Sequence, residues 1–209
     1  MTSTPQRLAA AIGLLASFGF AATSDPGFSP RGKQLFSDDF DGSALAAGWN
    51  GKPGTWEVSG GAVKASEKPE DKHAAVRRHP LAYHDGIFEF AFRLDGARAI
   101  HLSLNNKNGH VCRVIITPKS VTLQTDVPNH DSTLKPERLG MLNTTVAPGQ
   151  WHKAIVEVHG RRMTAQIDGG EPVTGESSRV DVDKNDFGFP VSGVSASIDY
   201  VRVYEVAAR

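Results

Sequence analysis

The stretch GIFEFAFRL, residues 86–94, alternates strictly: Phe88, Phe90, Phe92 and Leu94 fall on one parity, and Ile87, Glu89, Ala91 and Arg93 on the other. A period of two is the mark of an extended chain with one face in the core, whereas a helix would repeat every 3.6 residues. The same alternation returns along the chain with turn signals between. WEVSGGAVKAS reads as a hairpin about Gly60-Gly61. AIHLSLNN sets Ile100, Leu102 and Leu104 against His101, Ser103 and Asn105. HVCRVIITP and SVTLQTD follow, then a second hairpin in HKAIVEVHGRRMTAQIDGG, and ASIDYVRVYEV closes the chain. No amphipathic helical period follows residue 30, and PERLGML is expected to make only a helical turn. The pattern predicts an all-β domain of about a dozen strands in two packed antiparallel sheets. KASEKPEDKHAAVRRHP and DVPNHDSTLKPERLGMLNTT read as polar connections.

The first residues follow a different rule. Arg7 ends a short positive start, an apolar run LAAAIGLLASFGFAA follows, and small residues stand in AATS. This three-part order predicts an export signal over 1–23, with cleavage between Ala21 and Ser24. A loose lead-in is expected over 24–32 and one folded domain over 33–206. The mature chain would then be secreted, periplasmic or on the cell surface, with no membrane attachment. Lys plus Arg and Asp plus Glu both number 23, so no basic excess points to nucleic acid. The single cysteine, Cys112, excludes an intrachain disulfide, and its place in a strand pattern predicts a small buried hydrophobe.

The opening LFSDDFDGSALAAGWNGKPGTWEVSGGAVKAS and the closing PGQWHKAIVEVHGRRMTAQIDGGEPV with GVSASIDYVRVYEV resemble concanavalin A-like lectin/glucanase domains. The central YHDGIFEFAFRLDG resembles the 3-keto-disaccharide hydrolase domain, often grouped loosely with family 16 glycoside hydrolases. The resemblance implies a jelly-roll sandwich with a glycan groove on its concave sheet. It departs from family 16 at one point: the Glu-x-Asp-x-x-Glu run that supplies paired carboxylates is absent, and the comparable strand offers only Glu89.

Strand parity then selects the candidate site. If the phenylalanines face the core, Glu89 and Arg93 face outward. The same rule sends out His101 and Asn105, Arg113, and Gln124 and Asp126. On one shared face these groups suit sugar hydroxyls, with Glu89 and His101 as acid/base pair and Arg93, Asn105, Arg113, Gln124 and Asp126 holding substrate. Trp49, in a glycine-rich loop, and Tyr83 are expected to reach the groove. The expected function is cleavage of a (3-keto-)glycoside, the alternatives being a non-catalytic glycan-binding module and a structural or adhesion domain whose polar face is only solvated. No catalytic cofactor is expected. DVDKND places Asp181, Asp183 and Asn185 like the front of a calcium loop, a candidate for structural calcium, although Asp186 replaces the loop glycine and Ser192 the closing Glu.

Overall fold

The computed structural model describes residues 27–128 and 131–208. The expected signal segment, its cleavage site and the first part of the lead-in lie outside the described residues. Among the described residues, fourteen strands form two antiparallel sheets, with one 3-10 turn at Pro69–Asp71. The larger sheet has eight strands: β12 (Val173–Glu176), β11 (Arg162–Ile167), β10 (Trp151–His159), β5 (Gly86–Leu94), β14 (Ser195–Val206), β3 (Ala62–Ser66) and β2 (Thr55–Ser59) in that order, with β1 (Arg31–Asp38) also paired to β14. The smaller sheet runs β4 (Ala75–Tyr83), β13 (Lys184–Gly193), β6 (Ala97–Asn106), β7 (Gly109–Thr117), β8 (Ser120–Thr125) and β9 (Glu137–Asn143). No helix among the described residues is long and apolar enough to cross a membrane.

The core lies between the sheets and is built by the expected alternation. Phe88, Phe90, Phe92 and Leu94 of β5 are fully buried. They face Ile100, Leu102 and Leu104 of β6, Val114 and Ile116 of β7, and Phe187 and Phe189 of β13, all buried. Phe90 meets Phe189 edge to face at 5.1 Å, and Phe88 meets Phe187 at 5.6 Å, geometries that the ring quadrupole favours. Cys112 is buried among these residues, and burial pushes its thiol up to about 12, so it packs as a hydrophobe.

Three strands run through segments expected to be connections. β4 takes up the end of the charged stretch, β9 replaces the expected helical turn, and β13 begins inside DVDKND. The lead-in is anchored where it is described: Phe28 is buried, and the Ser29 N–H donates to the buried Glu157 carboxylate at 2.6 Å. Asp95-Gly96 carries the largest difference. The outward residues of the strands on either side were expected on one shared face, yet β5 and β6 belong to different sheets. The chain turns a corner there, with Gly96 at a positive φ of 88°.

Phe90→Ala leaves a cavity between the sheets with no neighbour free to collapse into it. It is expected to cost about 3–5 kcal/mol, read as a lower denaturant midpoint at unchanged slope.

Candidate functional site

The corner at Asp95-Gly96 divides the predicted site residues between two opposite surfaces. Glu89 and Arg93 stand on the outer face of the eight-stranded sheet, because β5 pairs with β10 and β14. His101, Asn105, Arg113, Gln124 and Asp126 stand on or beside the outer face of the six-stranded sheet. Parity was read correctly within each strand, but a shared face also requires a shared sheet. The Glu89–His101 pair is therefore not assembled: the whole core separates them. Glu89 is ion-paired with Arg31. Arg93 donates through Nε to Asp95 at 2.6 Å and lies over the Trp151 ring at 4.9 Å.

The two expected rings also have other work. Trp49 fills the sandwich edge, in contact with Phe36, Phe40, His79, Phe187 and Phe189, and its Nε1–H donates to Asp38 at 2.8 Å. Tyr83 points inward, its ring 5.4 Å from Phe88 and its hydroxyl 3.5 Å from the Asp186 carbonyl. The exposed tryptophan is Trp151, at 43%.

Asp181 and Asp183, two of the three residues at calcium-like spacing, are drawn to a histidine. Both carboxylates converge on the His84 ring, Asp183 on Nδ1 at 2.8 Å and Asp181 on Nε2 at 2.9 Å, which raises its pKa. The carbonyls of His84, Val180 and Val182 accept from the buried Lys184 ammonium at 2.7–2.9 Å. Lysine supplies the positive charge a metal would bring. Among the described residues no group of three or more His, Cys, Asp or Glu gathers as for a metal ion.

The outer face of the six-stranded sheet carries an organised polar site. One register row crosses all six strands: Arg78 on β4, Gly188 on β13, Ser103 on β6, Arg113 on β7, Gln124 on β8 and Arg138 on β9. Direct neighbours in such a row have Cβ atoms about 5 Å apart, so these side chains adjoin. Arg113 gives both Nε and Nη2 to Asp126 Oδ2, at 2.8 and 2.5 Å. Beside the row runs a chain of hydrogen bonds. The buried Asn105 amide donates to Asp186 at 2.6 Å. Its Oδ1 accepts from Ser103 Oγ at 2.9 Å and lies 2.6 Å from His110 Nδ1. His110 Nε2 lies 3.4 Å from Arg78 Nη2. A guanidinium can only donate, so Nε2 is the acceptor and Nδ1 carries the ring proton. Asn105 thus fixes the tautomer of His110, and Asp186 fixes Asn105.

Both imidazoles of this face are held neutral. Burial, then Arg113 and Arg78, lower the pKa of His110. Burial, then Arg113, lower that of His101 to about 4, and its Nδ1 is buried without a hydrogen-bond partner. Arg78, His110, Ser103 and Asp186 were not selected from sequence. Arg78 and Asp186 lie on the two strands that were read as connections. His110 and Ser103 were visible, His110 five residues from Ile115, the strand partner of His101, and Ser103 on the expected parity.

A family profile described as Laminin G domain matches residues 92–194. No curated protein matches the sequence. Among solved structures, the laminarinase from Rhodothermus marinus superposes with a TM-score of 0.65 at 17% identity, covering 84% of this chain and 98% of its own. The carbohydrate binding module CBM66 from Bacillus subtilis gives 0.62 at 14%, covering 76% and 96%. The CBM2 module of the Lactobacillus casei BL23 phage J-1 evolved Dit gives 0.64 at 10%, covering 86% and 98%. The chain has a concanavalin A-like lectin/glucanase fold, in which both glucanases and binding modules occur.

Two outcomes follow. Glu89→Ala removes a carboxylate that is largely shielded from solvent beside Arg31 and is expected to cost about 1–3 kcal/mol, while leaving the amide shifts of β6 and β7 in place. His101 titrates near 4 when folded and about 6.5 when unfolded. The unfolded chain therefore binds the proton first, and stability is lost as pH falls from about 6.5 towards 4. The loss is on the order of 3 kcal/mol, and His101→Gln should flatten that part of the pH–stability curve.

Proposed function

We propose that this chain is an exported carbohydrate-active domain that holds a glycan across the outer face of its six-stranded sheet. The row from Arg78 to Arg138 carries this reading. It sets guanidinium and amide groups in one line across the sheet, over a buried Ser103 and Gly188, as successive sugar hydroxyls require. The glucanases and carbohydrate binding modules that share the fold support it.

The reaction that suits this face is cleavage of a glycoside carrying a ketone at C3. The ketone acidifies the C2–H bond. His101, neutral at physiological pH, accepts that proton, and Arg113 stabilises the developing enolate oxygen. The electron pair then forms the C1–C2 double bond, and the glycosidic C1–O bond breaks. The leaving oxygen takes the proton back from the imidazolium, which a depressed pKa makes ready to give it up. This route uses one base and one electrophile and needs no second carboxylate, so the distance of Glu89 from the face is no obstacle. The separation of Glu89 from His101 equally favours a binding module that holds the same glycan without turnover.

The experiment is a screen of the purified chain with glycosides, their 3-keto derivatives and polysaccharides, alongside His101→Ala, Gln124→Ala and Glu89→Ala. Product released from a 3-keto-glycoside, lost in His101→Ala and kept in Glu89→Ala, establishes cleavage. Glycan retention weakened in Gln124→Ala, with no product from any substrate, establishes the binding module. Neither turnover nor retention removes the carbohydrate reading altogether.

A further inference from the structure

The Arg78 end of the row has a charge balance that neutral sugar hydroxyls do not account for. Arg78 is held by its backbone, which exchanges hydrogen bonds with Asn50 at 2.7 and 2.8 Å. Its side chain crosses the sheet over Gly188: a Cβ at that position would come within 2.8 Å of Arg78 Cγ. The guanidinium is thereby laid towards His110, whose ring nitrogen accepts from it at 3.4 Å.

No ion pair joins Arg78 to a carboxylate among the described residues. Of the two acids on this face, Asp126 is engaged by Arg113 and Asp186 by the Asn105 amide. Arg138, in the same row, adds a third guanidinium, exposed and 3.7 Å from Met141 Sδ. Three arginines thus face two carboxylates, and both imidazoles between them are uncharged, their pKa values lowered in part by these arginines. A half-buried guanidinium has five donors and no acceptor, and it pairs best with a planar or tetrahedral oxyanion.

We propose that Arg78 binds an acidic group of the glycan, a carboxylate or a sulfate, so that the ligand of this face is an anionic saccharide. The inference rests on the reading of the face as a glycan site and specifies its substrate class. The acidic group lies at the β4–β13 side of the sheet, beside His110, and the remaining sugar units run towards Gln124 and Arg138. Ser103 and Asn105 hold His110 so that its unprotonated nitrogen faces Arg78, which keeps a second positive charge away from the guanidinium's neighbour but leaves the other guanidinium N–H groups directed at the ligand.

Calorimetric titration of the full chain with oligogalacturonate, its methyl ester, chondroitin sulfate oligosaccharides and laminarin oligosaccharides tests it. Expected is binding of oligogalacturonate or of the sulfated oligosaccharide, the stronger of the two identifying carboxylate or sulfate. That affinity should fall as salt rises from about 0.05 to about 0.5 M. Arg78→Gln should weaken it about tenfold or more, with Glu89→Ala unchanged. Methyl-esterified or laminarin oligosaccharide bound as tightly as the acidic one, or affinity unmoved in Arg78→Gln, overturns the inference and leaves the glycan face standing. If no saccharide binds, the glycan face falls with it. Should Arg78→Gln not fold, the salt dependence and the ester comparison decide on the unaltered chain.

Discussion

Five phenylalanines from two strands set the terms for the rest of the molecule. Phe88, Phe90 and Phe92 on β5 and Phe187 and Phe189 on β13 are all fully buried and meet across the gap between the sheets. Each ring can leave water only if its strand gives one whole face to the core. Once that face is assigned, every intervening residue is committed to an outer surface. β5 and β13 lie in different sheets, so the same contact that closes the core also sends their alternate residues to opposite sides of the protein. Glu89 and Asp186 are two such residues, and nothing short of unfolding could bring them together.

This explains what was legible and what was not. Parity is local: it depends only on which neighbours are apolar, and it placed His101, Asn105, Arg113, Gln124 and Glu89 outward in their own strands. Sheet membership is not local. The short Asp95-Gly96 connection joins two strands whose apolar faces both point into the core, and that pattern is the same whether the strands pair or cross between sheets. β4 and β13 escaped because their patterns are broken by features with other causes. Pro80 and two arginines interrupt β4, an edge strand of its sheet, and Gly188 and Pro190 interrupt β13. The tryptophans show the same limit. Trp49 sits in a glycine-rich loop, which reads as exposed, yet that loop folds over the open sandwich edge and needs a large ring to seal it. Trp151 begins β10 on the outer parity, where Arg93 lies over its ring and it stays exposed.

The loop at Asp181 shows how one buried charge can take over the role of an ion. Its carbonyls turn inward and must be satisfied there. Lys184 does so with three donors and is itself desolvated, with a lowered pKa. The neighbouring acids are left to His84, whose raised pKa keeps the two carboxylates from repelling each other. Acidic residues at a calcium-like spacing are therefore compatible with a loop organised by protein groups alone, and the residue that decides the matter is the lysine between them.

Gly188 sets how closely β4 approaches β13 beneath the outer face of the six-stranded sheet. A glycine inside a strand weakens the sheet, because it has no side chain to pack and loses more chain entropy on folding. β13 bears that cost between its two core phenylalanines, where rigidity matters most. Any side chain there would also collide with the Arg77 carbonyl, whose oxygen stands 2.6 Å from where a Cβ would lie, and with Arg78 Cγ. What the glycine provides is close approach of β4 and an open passage for one guanidinium across the sheet, towards His110 and the row that ends at Arg138. With the Arg77 carbonyl so close, no side chain fits at 188, and Arg78 is not left to point into water. The arrangement instead spends sheet stability to hold a cation flat against the sheet, next to an imidazole whose tautomer is fixed by an amide and a carboxylate behind it.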